Sequence, residues 1–521
     1  MKKVILYDTT LRDGAQGEGV TFSVDEKLKI AKKLDEIGID YIEGGWPGAN
    51  PKDAEFFRKL KELKLMHSRS VAFGSTRRAK NSAKDDENLK AIIKSGSYAA
   101  AIFGKTWDLH VSDALRISLE ENLKLIFDSV EYLKANKLEV FYDAEHFFDG
   151  YKANKEYAVR TLLAAEKAGA DYLVLCDTNG GCLTSEIKTI IEDVKKHVKI
   201  SLGIHAHNDS DMAAANSVTA VECGAMVVEG TINGFGERCG NANLCTVIPN
   251  LQLKSGVSCL SAGKLKELTS LSIFVADIAN VMLADNMPFV GYSAFAHKGG
   301  IHVDAVKKNP RTYEHTEPEF VGNKRRVLIS DQSGISNVLY KATELNIDMG
   351  KDNPASKELL RKLKELENQG YNFEDAEASF ELLMKKATKT HRTFFNLEGF
   401  RVILESRAGK VVSEATIKVS VKGVSEHTAA EGNGPVDALN NALRKALERF
   451  YPSLSQVYLR DFKVRIINPQ AATEAICRVN IESTDGKTIW STVGVSTNLI
   501  EASWYALLDS IEYKLLKDGV K

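Results

Sequence analysis

The stretch His205-Ala206-His207-Asn208-Asp209 carries two imidazoles two positions apart. On a strand, positions i and i+2 face the same side, so both rings can serve one divalent ion. Asp13, in the run Asp8–Gln16 that follows the first apolar segment, supplies a third donor. Two imidazoles and a carboxylate, with coordination positions left open, suit a borderline ion such as zinc, manganese or iron acting as a Lewis acid. The plain alternative is a hydrogen-bonded polar pair at a strand end. Arg12, beside Asp13, is placed to hold a carboxylate or a developing oxyanion, where an arginine elsewhere would be a surface ion pair. Glu145 reads as an acid or base, or as an ion-pair partner. Thr178 reads as a donor to a substrate carboxylate, or as a turn hydroxyl.

These residues need elements to bring them together. Short apolar runs alternate with amphipathic helical patterns over about the first 285 residues. Strands are expected at Val4–Asp8, Asp40–Gly44, Ser70–Phe73, Tyr98–Phe103, Glu139–Ala144, Tyr172–Cys176, Ser201–His205 and Val227–Gly230. Continuous apolar strands separated by helices imply a parallel sheet covered on both faces, and eight such units imply a closed (β/α)8 TIM barrel. The polar residues above then fall at the carboxyl ends of the strands, where barrels of this kind carry their chemistry.

Residues 1–285 are therefore expected to form the catalytic barrel. Residues 286–390 read as a small helical linker region, with little periodicity over Met287–Asn337 and helices at Lys357–Leu366 and from near Asn372 through Lys386. Residues 391–521 alternate with period two and show the order β-β-β-α twice, an α+β module with an internal pseudo-twofold.

Composition narrows the class. The 521 residues are 44% hydrophobic and 27% charged, with a net charge of -1, which gives no reason to expect nucleic acid or a membrane as partner. The longest apolar stretch, Tyr98–Phe103, is far below the roughly 20 residues of a membrane helix. The start meets Asp8 too early for a signal peptide. Seven cysteines without a Cys-x-x-Cys pair read as free thiols in a reducing cytoplasm.

Four motifs together resemble a known family: Asp8–Gln16 (DTTLRDGAQ), His205–Asp209 (HAHND), Gly236–Asn241 (GERCGN) and Gly299–Asp304 (GGIHVD). They are similar to the pyruvate-carboxylase-like metal-dependent acyltransferases, namely the isopropylmalate, homocitrate and citramalate synthases. Asp40–Phe56 most resembles the citramalate branch. Trp46-Pro47 and Asp177-Thr178-Asn179-Gly180 stand where isopropylmalate synthases more often carry Phe-Pro and Asp-Thr-Val-Gly.

The resemblance implies condensation of acetyl-CoA with pyruvate to (R)-citramalate, in isoleucine biosynthesis. It implies that Asp13, His205 and His207 bind a divalent metal (zinc, manganese or magnesium) with Asn241 completing or supporting the shell. By the same resemblance Arg12 steadies the keto oxygen, Thr178 binds the substrate carboxylate and Glu145 handles protons near the acetyl group. His302, Asp304 and Tyr313 belong to a segment that covers the active site. The C-terminal domain would be regulatory, dimeric and responsive to isoleucine, and Gly432-Asn433-Gly434-Pro435 before a helix offers amides to a carboxylate. Arg77 and Arg78 are candidates for CoA phosphates. Three alternatives stay open: 2-isopropylmalate synthase acting on 2-oxoisovalerate, a metal-dependent acyl-CoA or aldol lyase, and an amino-acid sensor whose barrel has lost activity.

Overall fold

The computed structural model describes residues 3–330, 332–350, 353–407 and 409–520. Eight parallel strands close a barrel in sequence order. They are β1 (Ile5–Asp8), β2 (Tyr41–Gly45), β3 (Arg69–Ser75), β4 (Ala99–Lys105), β5 (Glu139–Glu145), β6 (Tyr172–Asp177), β7 (Ser201–Ala206) and β8 (Val227–Gly230). Closure is made by β8 against β1, with Ile5 opposite Val227 and Asp8 opposite Gly230.

Both faces of each strand are buried, which is why the strands read as unbroken apolar runs. Outward residues such as Leu6, Ile42, Ile102, Leu173 and Val228 pack under the helices. Inward residues fill the cylinder: Tyr7, Tyr41, Phe141 and Val174 belong to a separate interior cluster. Phe141 stacks on Tyr172 at 4.5 Å and meets Tyr7 edge-on at 5.1 Å. Local signals set the helix ends. The helix Val24–Ile37 opens on a capping box between Ser23 and Glu26 and stops at Gly38, whose φ of 103° favours glycine.

Contacts divide the chain into two units, Met1–Phe295 with Thr316–Arg325, and Ala296–His315 with Arg326–Lys521. In the second unit β9 (Ala296–His297) pairs with β10 (Arg326–Val327). The region of little periodicity also holds the helix Gly300–Lys308, of which only Val303 and Val306 are buried. The helix expected from near Asn372 begins at Glu377; Asn372 closes a turn instead, its Oδ1 accepting from the Glu374 N–H at 3.2 Å.

Two antiparallel sheets follow, β11 (Asn396–Arg407), β12 (Lys410–Val421) and β13 (Val424–Gly432), then β14 (Tyr458–Ile466), β15 (Cys477–Thr484) and β16 (Ile489–Ser496). Each is followed by a helix, Pro435–Glu448 and Leu499–Lys517, giving the repeated β-β-β-α order. Ala415, Ile417, Val419 and Val421 of β12 alternate into the core shared with these helices. All seven cysteines are free. Among the described residues no helix is long and apolar enough to cross a membrane.

Candidate active site

The carboxyl end of β7 carries His205 inside the strand and His207 just past it, where His207 bridges to Asn241. Asp13 arrives from the turn after β1. Its Oδ2 lies 3.2 Å from His205 Nε2 and 3.9 Å from His207 Nε2, and the two Nε2 atoms are 3.3 Å apart. Among the described residues this is a group of three buried donors able to converge on one ion. The fourth expected member, Asn241, is 2% exposed; its Nδ2 donates to the Phe235 carbonyl while its Oδ1 has no hydrogen-bond partner. A buried carboxamide oxygen without a hydrogen-bond partner is an acceptor still open to a cation. The donor set therefore fits a divalent ion.

His205 is oriented from behind by Glu229, whose Oε2 lies 3.0 Å from Nδ1. Such a carboxylate fixes the tautomer that aims Nε2 outward. Burial alone would discharge His205, but hydrogen bonds to Asp13 and Glu229 outweigh it and hold its pKa up at about 10. Burial and the neighbouring His205 charge push His207 down to about 4. Burial opposes ionisation of Asp13, yet Arg12 and His205 hold it far below the usual carboxylate range.

Arg12 is fixed on three sides. Its Nε donates to Glu43 Oε1 at 2.6 Å, its Nη1 lies 3.5 Å from Asp13, and its guanidinium sits 3.7 Å over the Phe73 ring. Glu43 in turn accepts from the Tyr7 hydroxyl at 2.6 Å. Beneath these groups the barrel interior holds Asp143, with Oδ1 unpartnered; burial, then Glu229 and Glu43, raise its pKa well above the ordinary value. Cys176 beside it is likewise kept a thiol by burial. Glu43, Asp143 and Glu229 escaped the sequence reading, which considered residues after strands. Their signal was an acid on the inward register of an otherwise apolar strand.

A cavity of about 490 Å³ opens over this floor, lined among others by Arg12, Asp13, Glu145, Thr178, His205 and His207. Six expected residues thus share one space. Glu145 is ion-paired with Lys105. Thr178 Oγ1 accepts the His146 N–H at 2.8 Å, and the Thr178 carbonyl accepts from Arg238, which also clamps Asp209. Trp46, Phe73 and Phe103 form an aromatic wall with edge contacts of 5.6 and 5.7 Å. Trp46 is held by its N–H donating to Asp53 at 2.9 Å, and Asp53 is anchored by the buried Lys27 at 2.6 Å. Gly45 is required there: at φ 143°, an added Cβ would lie 2.3 Å from Asp53.

His302, Asp304 and Tyr313 belong to the second unit. There the His302 and Tyr313 rings lie 4.3 Å apart, and Asp304 accepts from Lys308 and Ser336. His297, with no role assignable from sequence, pairs with Glu314 at 3.0 Å. One expectation is corrected. Arg77 is buried and engaged by Asp128 and three backbone carbonyls, so it is a structural clamp rather than a phosphate ligand. At Gly432–Pro435, the Asn433 N–H donates to Asp437 at 2.8 Å, so that amide of the loop serves the helix that follows.

Comparison with known proteins adds to this geometry. The HMGL-like family pattern matches residues 3–275, the homocitrate synthase post-HMGL domain-like pattern 289–371, and the LeuA allosteric (dimerisation) domain pattern 374–515. The chain is 60% identical over 519 residues to the (R)-citramalate synthase of Geobacter sulfurreducens, covering 99% of this chain and 98% of that one. It is 56% identical over 520 residues to the (R)-citramalate synthase of Aquifex aeolicus, covering 99% and 98%. The chain belongs to the (R)-citramalate synthase family. The 2-isopropylmalate synthase of Methanocaldococcus jannaschii is 32% identical over 519 residues, covering 99% and 95%. Membership of the citramalate synthase family makes the chain a metal-dependent enzyme with a barrel and a dimerisation domain, which disfavours the lyase and inactive-sensor alternatives.

Proposed function

We propose that this chain condenses acetyl-CoA with pyruvate and water to give (R)-citramalate and CoA. The observation that carries this reading is the convergence of Asp13, His205 and His207 beside the fixed Arg12 fork inside one cavity. Asp13, His205 and His207, with Asn241 Oδ1, would hold a divalent ion, which supplies a Lewis acid for the keto and carboxylate oxygens of the keto acid.

The chain's own residues do the rest. Thr178 donates a hydrogen bond from its hydroxyl to the pyruvate carboxylate. A base removes a proton from the acetyl methyl group, and the resulting carbanion forms a bond to the keto carbon. Negative charge then collects on the former keto oxygen, where the pre-set guanidinium of Arg12 meets it; such a group stabilises the transition state more than the ground state. Glu145 handles the proton near the acetyl group, and His302, Asp304 and Tyr313 assist its removal. Water cleaves the thioester and releases the CoA thiol. Trp46, Phe73 and Phe103 give the substituent of the keto acid an apolar wall.

The test is thiol release with pyruvate, 2-oxoisovalerate and 2-oxoglutarate in parallel. Fastest release with pyruvate is expected; fastest release with 2-oxoisovalerate would move the reading to isopropylmalate synthesis. The same reading assigns a homodimer or larger assembly, isoleucine as the effector of the C-terminal domain, and a cytoplasmic location in keeping with seven free thiols.

A further inference from the structure

His146 follows Glu145 directly and has φ 57° and ψ 33°, the left-handed region that a side chain rarely adopts. That turn aims its backbone N–H at Thr178 Oγ1, 2.8 Å away. The turn is held by a ring of bonds. His146 Nδ1 shares a hydrogen bond with Asp149 Oδ2 at 3.3 Å, and the same oxygen accepts from Asn179 Nδ2 at 2.9 Å. Asn179 is the neighbour of Thr178, so the loop after β5 and the loop after β6 are laced together on both sides of the hydroxyl. The imidazole also packs edge-on against His110 at 4.4 Å, with Trp107 alongside at 6.1 Å.

A threonine hydroxyl has one proton and two lone pairs. With a backbone N–H on one lone pair, the proton cannot point at that amide and turns to the positions that face away from it, and Thr178 lines the cavity. We infer that His146 is a positioning residue, whose left-handed backbone commits the Thr178 hydroxyl proton to the substrate carboxylate. The inference rests on the reading of Thr178 as the carboxylate donor. It assigns His146 no contact with substrate and no proton transfer; its part is to close the hydroxyl rotamer that points at its own amide, which leaves the proton free to face the cavity.

The experiment is a cycle on the full-length enzyme with its metal, with kcat and KM measured separately for pyruvate and acetyl-CoA. Thr178→Val should raise the KM for pyruvate about tenfold or more, since the hydrogen bond to a charged group is lost. His146→Val, whose branched side chain opposes the left-handed turn, should raise the same KM by a comparable factor. Its kcat and its KM for acetyl-CoA should stay within about twofold of the parent. His146→Gly and His146→Asn tolerate that turn and should stay within about threefold of the parent. In the Thr178→Val background, His146→Val should add nothing.

If Thr178→Val leaves the KM for pyruvate unchanged, the reading of Thr178 itself fails. If Thr178→Val raises it but His146→Val does not, or if the two losses multiply in the double variant, the inference about His146 alone is overturned. Should His146→Val not fold, His146→Ala against His146→Gly carries the same contrast: alanine worse than glycine supports the inference, and alanine equal to glycine overturns it.

Discussion

Arg12 owes its position to three contacts, with Glu43, Asp13 and the Phe73 face, and a lysine can reproduce none of the planar geometry. Arg12→Lys is therefore expected to lower kcat by about 10²–10³ while metal content stays at the parent level, checked by steady-state kinetics and elemental analysis. Glu229→Gln keeps the shape behind His205 but removes the charge; metal affinity should fall about 10–100-fold in a chelator competition. Asp8 offers a test by pH. It is fully buried, and burial raises its pKa from 3.8 to about 7 against the opposing hydrogen bonds from Thr10. The folded state therefore binds this proton more tightly than the unfolded chain. Its stabilising effect is complete below about pH 4 and is lost as the pH rises through about 7. Asp8→Asn should gain on the parent by about 2–4 kcal/mol between pH 5 and pH 8, read from urea midpoints. At this scale the grouping of Asp13, His205 and His207 could be anticipated, because alternate strand positions share a face and strand ends meet at the barrel mouth; the structure brings their donor atoms together. Glu43, Asp143 and Glu229 could not be, because an acid in the middle of an apolar strand looks like an interruption until the inward register is known.

Elements decide how well those residues meet. The loop Gly234–Asn241 delivers Asn241 through a tight reversal in which Gly240, at φ 89°, would bring a Cβ to 2.0 Å from the Gly234 carbonyl. Gly240→Ala is expected to cost more than about 1 kcal/mol of barrel stability and to weaken metal binding together with it, since the shift displaces Asn241. Chelator competition and thermal melting on the same sample check the coupling. The barrel strands could be read closely from the sequence because burial on both faces makes them continuous and because Gly38, Ser23 and similar residues punctuate them. The helix Gly300–Lys308 could not, since two buried valines leave no stripe of period 3.6 to detect. The helix expected near Asn372 began late for a related reason: asparagine there serves a turn, a role its side chain fills as readily as a helix cap.

For the molecule as a whole, the first sheet of the C-terminal module presents exposed apolar residues, Leu404 of the edge strand β11 (60% exposed) and Val411 of the central strand β12 (71%). Exposed apolar surface of this kind favours association with another chain. Leu404→Lys is therefore expected to shift sedimentation towards smaller species without changing the melting of the barrel. The internal β-β-β-α repeat was legible from alternation alone; which of its faces stay uncovered was not, because period two marks both faces of an edge strand alike. The barrel has a wider consequence. Asp13, Glu43, Asp143 and Glu229 crowd into one buried interior around Arg12 and two imidazoles. A cation bound at its rim relieves mutual repulsion, so loading it adds to folding free energy. Newly synthesised polypeptide that has not yet captured its ion should be the fraction that a protease digests first, making metal supply a checkpoint on enzyme abundance as well as on turnover.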